Sequence, residues 1–118
     1  MTQDQIKMAW NKALIVDGFN ADAIRKDASG AWIVFSMYGN RDSIYGWEID
    51  HVYPLSLGGK DDDFNLRAMQ WENNVCKGDD YPSYSVCIQS EGVKNIRKFD
   101  NYTVNETLQQ IIKNSYID

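Results

Sequence analysis

Residues 53–64 constrain the chain most. They hold Pro54, the pair Gly58-Gly59 and the run Asp61-Asp62-Asp63, and they read as one long loop. The residues before it, 46–52 (Gly-Trp-Glu-Ile-Asp-His-Val), alternate apolar and polar as a half-buried strand does. After it, 66–69 suits a short returning strand, and 71–77 suits a short helix stopped by Gly78. The middle of the chain therefore reads strand, long loop, strand, helix. Loops of about twelve residues in a small domain are usually functional.

The flanks are simpler. Residues 3–17 read as an amphipathic helix. Thr2 and Gln5 have capping-box spacing, Ile6, Ala9, Trp10, Ala13 and Leu14 form one apolar stripe, and Gly18 marks the stop. Residues 19–29 look irregular, with a short helical turn after Asn20. Residues 31–35 suit a strand, and Tyr38-Gly39-Asn40 a turn. Residues 83–89 and 93–98 pair as a hairpin around Glu91-Gly92, and Asn105 caps a last helix carrying Leu108, Ile111 and Ile112. With 118 residues, 43% of them apolar, and four Trp, seven Tyr and four Phe, the chain supports one core. The expected fold is a single α+β domain over 1–118.

Charge and cysteine usage narrow the function classes. No apolar run approaches the roughly 18 residues of a membrane span, and the start lacks the pattern of a secretory leader. Cys76 and Cys87 are too few for a disulfide framework or a four-thiolate zinc site, and they read as buried thiols. Such usage suits a reducing compartment, so the cytoplasm is the expected location. A formal charge of −5 argues against a polyanion as first partner. That charge is local, however. Residues 48–80 hold eight acids against three bases, while the rest of the chain balances nine against nine. The acidic segment is open to three readings: a cation site, a solvated loop, or chance.

The only histidine, His51, lies in this segment, so any imidazole chemistry runs through it. Asp50-His51 ends the first strand. Asn65 opens the second strand 14 residues later, Asn74 follows nine residues on, and Lys77-Gly78 closes the helix. The runs Trp47-Glu48-Ile49-Asp50-His51-Val52-Tyr53-Pro54 through Gly58-Gly59, and Asn65-Leu66 through Asn74-Val75-Cys76-Lys77-Gly78, resemble the two halves of an HNH nuclease motif. The likeness covers about 46–80. More weakly, Gly30-Ala31-Trp32-Ile33 and Tyr38-Gly39-Asn40 are similar to the lead-in of small single-domain bacterial members.

The resemblance implies a ββα-metal core flanked by terminal helices and short antiparallel strands. It also implies an endonuclease acting on DNA, with RNA left open. By the same likeness His51 is the general base, Asn65 braces the loop that holds it, and Asp50 and Asn74 are metal ligands. Lys77 falls where members often carry a basic residue near the substrate phosphates. Asn74 stands where many members have histidine, making this an H-N-N variant, and the two Cys-x-x-Cys pairs of a structural zinc are missing. No structural zinc is therefore expected, and the core must rest on aromatics such as Trp47 and Trp71.

The residue types suit that chemistry. A neutral imidazole, with an ordinary pKa near 6.5, can take a proton from water near pH 7. Asp and Asn are oxygen ligands, which favour one Mg²⁺ or Mn²⁺ with water and phosphate completing the shell. Three points stay open at this level. Adjacent strand residues face opposite ways, so Asp50 and His51 share a site only if the strand ends there. Asn73 competes with Asn74 for register. Glu48 either faces the metal or pairs with a base. Asp61–Asp63 read as a solvated loop tip. Lys94, Arg97 and Lys98 form a small basic cluster, and with Arg67, Arg41 and Lys60 they are candidate phosphate contacts. The chain is expected to be a monomer or homodimer. The rival readings are a non-catalytic nucleic-acid or protein-binding module that keeps the fold, and a metal-stabilised structural protein.

Overall fold

Thr2 opens the first helix as its spacing demands. Its side-chain oxygen accepts from the Gln5 N–H while the Gln5 side chain accepts from the Thr2 N–H. The computed structural model describes residues 1–117. Helix α1 spans Gln3–Asn11 and buries Ile6, Ala9 and Trp10. It stops well short of residue 17. The Arg25 guanidinium donates to the carbonyls of Asn11 at 3.1 Å and Ala13 at 3.3 Å, terminating the helix. Leu14 then exchanges backbone bonds with Lys26 at 2.8 and 3.0 Å. That tertiary bridge diverts the chain from the helix its stripe predicts.

Strand β1 (Ile24–Lys26), in a stretch that reads as irregular, pairs antiparallel with β2 (Trp32–Val34). The link between them turns on Asp27, whose Oδ1 accepts from Ser29 N, Ser29 Oγ and Ala31 N. Strand β3 (Trp47–His51) pairs antiparallel with β4 (Leu66–Gln70), with Trp47 opposite Gln70 and His51 opposite Leu66. Helix α2 (Trp71–Lys77) follows β4 directly, and the Gln70 side chain caps it by accepting from the Asn73 N–H. The strand–loop–strand–helix order of the sequence is thus the order of the structure.

Strands β5 (Ser83–Glu91) and β6 (Lys94–Thr103) form a hairpin longer than 83–89 and 93–98. Buried Tyr84 and Val86 anchor β5, so the ladder carries along Asp100 and Asn101, which have low strand propensity. Helix α3 (Glu106–Ile112) starts at Asn105, whose side chain accepts from Leu108 N.

Two aromatic-rich clusters hold these parts together. One joins Ile6, Trp10, Ile33, Trp47 and Ala68, with the Trp10 and Trp47 rings 5.3 Å apart. The other joins Val52, Met69, Tyr84, Val86, Val104 and Ile112. The β3–β4 pair contributes to both, so it is gripped from two sides. No helix among the described residues is long and apolar enough to cross a membrane.

Candidate functional site

The β3–β4 ladder ends at His51 because a side chain takes over from the backbone. Asn65 is fully buried. Its Oδ1 accepts from Tyr53 N at 2.7 Å, and its Nδ2 donates to Tyr53 O and Lys60 O, each at 3.0 Å. One carboxamide thus ties both arms of the long loop. Gly59 is required at this crossing, since a Cβ there would lie 1.9 Å from Tyr53 O. Asn65 does not border the recess described next; it holds the loop beside it.

At the end of β3 lies a recess of about 160 Å³ bordered by Asp50, His51, Asn74 and Asp79, with Pro54 and Leu55. Asp50 and His51 share it although they are strand neighbours, because the ladder stops there. Asn74, and not Asn73, reaches this wall. Asn73 is fully buried, where its Nδ2 donates to Ser29 Oγ at 3.1 Å and Ile88 O at 2.8 Å. Its Oδ1 accepts from Cys87 N and Ile88 N. The same Nδ2 also donates to Asp27 Oδ2 at 3.2 Å, so Asn73 joins α2 to β5 and to the first half of the chain.

Asp50 is buried at 3% exposure and meets two cations. Arg67 Nε donates to Oδ2 at 2.9 Å, and Lys77 Nζ lies 3.1 Å from Oδ1. Lys77 also donates to His51 O at 3.2 Å. Burial lowers the Arg67 pKa, but the charge of Asp50 and contacts with Tyr84 and Asp50 outweigh it, leaving it above the ordinary arginine value. These positions correct the sequence expectation. Lys77 and Arg67 lie behind the recess, committed to Asp50, and not on a surface where phosphate would meet them. The reason is electrostatic: a buried carboxylate needs paired charge.

His51 Nε2 lies 2.6 Å from Asp61 Oδ1. The triple aspartate is therefore more than a solvated tip. Asp62 accepts from the Tyr116 hydroxyl at 2.7 Å, and Asp63 pairs with Lys12 at 2.9 Å. Of the two options for Glu48, the structure shows pairing with a base. Arg41 grips it through Nε at 2.7 Å and Nη2 at 2.9 Å, which holds its carboxyl below the usual range. Asn74 Nδ2 donates to the same carboxylate at 3.2 Å. That bond orients the Asn74 carboxamide and leaves its oxygen without a hydrogen bond among the described residues.

Asp50, Asn74 and Asp79 are oxygen-bearing types of the kind a hard divalent cation takes, and both Asp50 oxygens already face a cation. Asn74 Oδ1 makes no hydrogen bond among the described residues, Asp79 borders the recess, and each Asp50 oxygen keeps a further lone pair beside its cation. No group of three or more His, Cys, Asp or Glu side chains among the described residues is placed to hold a metal by itself. Lys94 and Lys98 are exposed on β6, and Arg97 there pairs with Glu72 of α2 at 2.8 Å. None of the three borders the recess.

Comparison with known proteins adds no relative: no family model, curated protein or solved structure matches the chain significantly. Sequence reasoning missed Asp61 and Asp79. For Asp61, the available signal was its place in a loop pinned by Asn65. For Asp79, no local pattern distinguishes it from Asp80.

Proposed function

We propose that the chain is a metal-dependent HNH endonuclease that hydrolyses phosphodiester bonds in DNA. In this reading β3, β4 and α2 form its ββα-metal core. The observation that carries it is the meeting of His51, Asp50 and Asn74 at one polar recess where β3 ends. The neighbours Asp50 and His51 and the sequence-distant Asn74, of the types this hydrolysis uses, share one wall.

The contacts support the following roles. His51 takes the proton from an attacking water. Asn65 is a positioning residue, since it fixes the loop and does not touch the recess. Arg67 and Lys77 fix the Asp50 carboxylate from behind. Asp50 and Asn74 would hold one Mg²⁺ or Mn²⁺, which when bound stabilises charge developing on the phosphate and the leaving oxygen. The free thiols Cys76 and Cys87 suit a reducing, cytoplasmic setting.

Plasmid nicking tests this directly. Purified protein should nick supercoiled DNA with Mg²⁺ or Mn²⁺, and His51→Ala should slow it by about 100-fold or more while keeping its circular dichroism. Full metal-dependent nicking by His51→Ala would overturn the reading.

A further inference from the structure

We infer that Asp61 is a positioning residue for His51: it accepts the Nε2 proton and so leaves Nδ1 as the proton acceptor. This rests on the nuclease reading above. The 2.6 Å contact is with a carboxylate, and an ionised carboxylate only accepts. Nε2 must therefore be the donor. A neutral imidazole has one donor and one acceptor nitrogen, so the lone pair is left on Nδ1. Nδ1 makes no hydrogen bond among the described residues, and His51 borders the recess.

Asp61 is half exposed, with 55% of its side chain accessible, so the contact needs support from its surroundings. The loop supplies that support on both sides. Lys60 O accepts from Asn65 Nδ2 at 3.0 Å, fixing the residue before it. Asp62 O accepts from Asn65 N at 2.8 Å, and the Asp62 carboxylate accepts from Tyr116. Tyr116 itself stacks on Tyr53, with ring centroids 5.7 Å apart. Asp63 is held by Lys12. The backbone around Asp61 is thus fixed before any substrate arrives, and little entropy is lost in holding the carboxylate on the ring. When Nδ1 accepts a proton from water, both ring nitrogens become donors. Asp61 then faces the one on Nε2 with a full negative charge.

The single histidine makes the test clean. A long-range proton–nitrogen correlation spectrum of the ¹⁵N-labelled full chain shows one imidazole. It is recorded across a pH series and read where only one ring nitrogen carries a proton. The expected spectrum has Nε2 protonated and Nδ1 bare. Asp61→Ala should move both nitrogens toward the averaged shifts of a tautomer mixture. It should also lower the nicking rate at saturating DNA about 10–100-fold, the scale seen when the carboxylate partner of a metal-ligating histidine is lost. The Mn²⁺ concentration for half-maximal nicking should stay the same. Asp61→Asn keeps an acceptor oxygen, so it should restore the Nε2–H spectrum and part of the rate. Wild-type protein with the proton on Nδ1 would overturn the inference, as would Asp61→Ala with wild-type spectrum and rate. Wild-type protein that nicks no DNA with either metal, yet shows the Nε2–H spectrum, would instead overturn the nuclease reading and the role in catalysis together.

Discussion

The cluster of Asp50, Arg67 and Lys77 makes a prediction in which two destabilising substitutions partly cancel. The three side chains carry a net charge of +1 in a nearly closed site, with Lys77 at 1% and Asp50 at 3% exposure. Asp50→Asn removes the only anion and strands two buried cations. Breaking a buried pair in this way costs about 3–5 kcal/mol. For a chain of this size that is about 12–20 °C in melting temperature, at roughly 4 °C per kcal/mol. Lys77→Met keeps the volume of the stem and leaves a neutral Asp50–Arg67 pair. It loses a charge-assisted bond but no longer buries an ammonium, so it should cost only about 1–2 kcal/mol. In the Asp50→Asn background the sign reverses: Lys77→Met then removes an orphan cation, and the double variant should be more stable than Asp50→Asn alone. Urea unfolding followed by circular dichroism measures all four corners of this cycle. If the two losses simply add, or if Lys77→Met costs more than Asp50→Asn, the charge argument is wrong.

Four further outcomes are expected. Asn73→Ala should cost about 2–4 kcal/mol, because Cys87 N, Ile88 N and Ile88 O lose a buried partner. Asn74→Ala should cost under about 1 kcal/mol but raise the Mn²⁺ needed for half-maximal nicking about tenfold; urea unfolding and a metal titration separate the two. Tyr116 is pushed up from 10.0 to about 12, first by burial and then by its bond to Asp62. Its folded-state pKa lies above the unfolded one, so its stabilising effect is full below pH 10 and is lost as pH rises from 10 to about 12. Tyr38, Tyr81, Tyr84 and Tyr102 are also raised by burial, so phenolate absorbance should show several late-titrating tyrosines. Tyr116→Phe should remove one of them and reduce the alkaline loss of stability. Should Lys94 and Lys98 contact phosphates, replacing both with alanine in inert His51→Ala protein should lower the salt slope of DNA binding by about 2, as read by fluorescence anisotropy; an unchanged slope would remove them from the interface.

Much of the local architecture was legible in the sequence because its causes are local. The capping box at Thr2, the cap at Asn105 and the alternation through Trp47–His51 each act within a few residues, and each element begins or runs where they place it. The order strand, loop, strand, helix followed from breakers and periodicity alone. What failed depended on partners distant in the chain. Helix α1 stops at Asn11 because Arg25 and Lys26 claim the residues beyond it, and nothing in 12–17 announces that.

The site divides the same way. Its residue types and spacing can be read along the chain, since a strand that ends at His51 and a helix that carries Asn74 are local facts. The partners of each side chain are not. Asn73 and Asn74 are chemically identical neighbours, and only helix rotation against β5 buries one and turns the other to the recess. Lys77 lies under Asp50, not at a surface, because a carboxylate shut away from water must find its countercharge. Asp61 meets His51 because Asn65, Tyr116 and Lys12 fold the loop back onto the end of β3. The sequence by itself determined which residue types are present and which local elements carry them, through composition and local pattern. The tertiary structure alone decided which charges face each other, because pairing depends on distance through space and not along the chain.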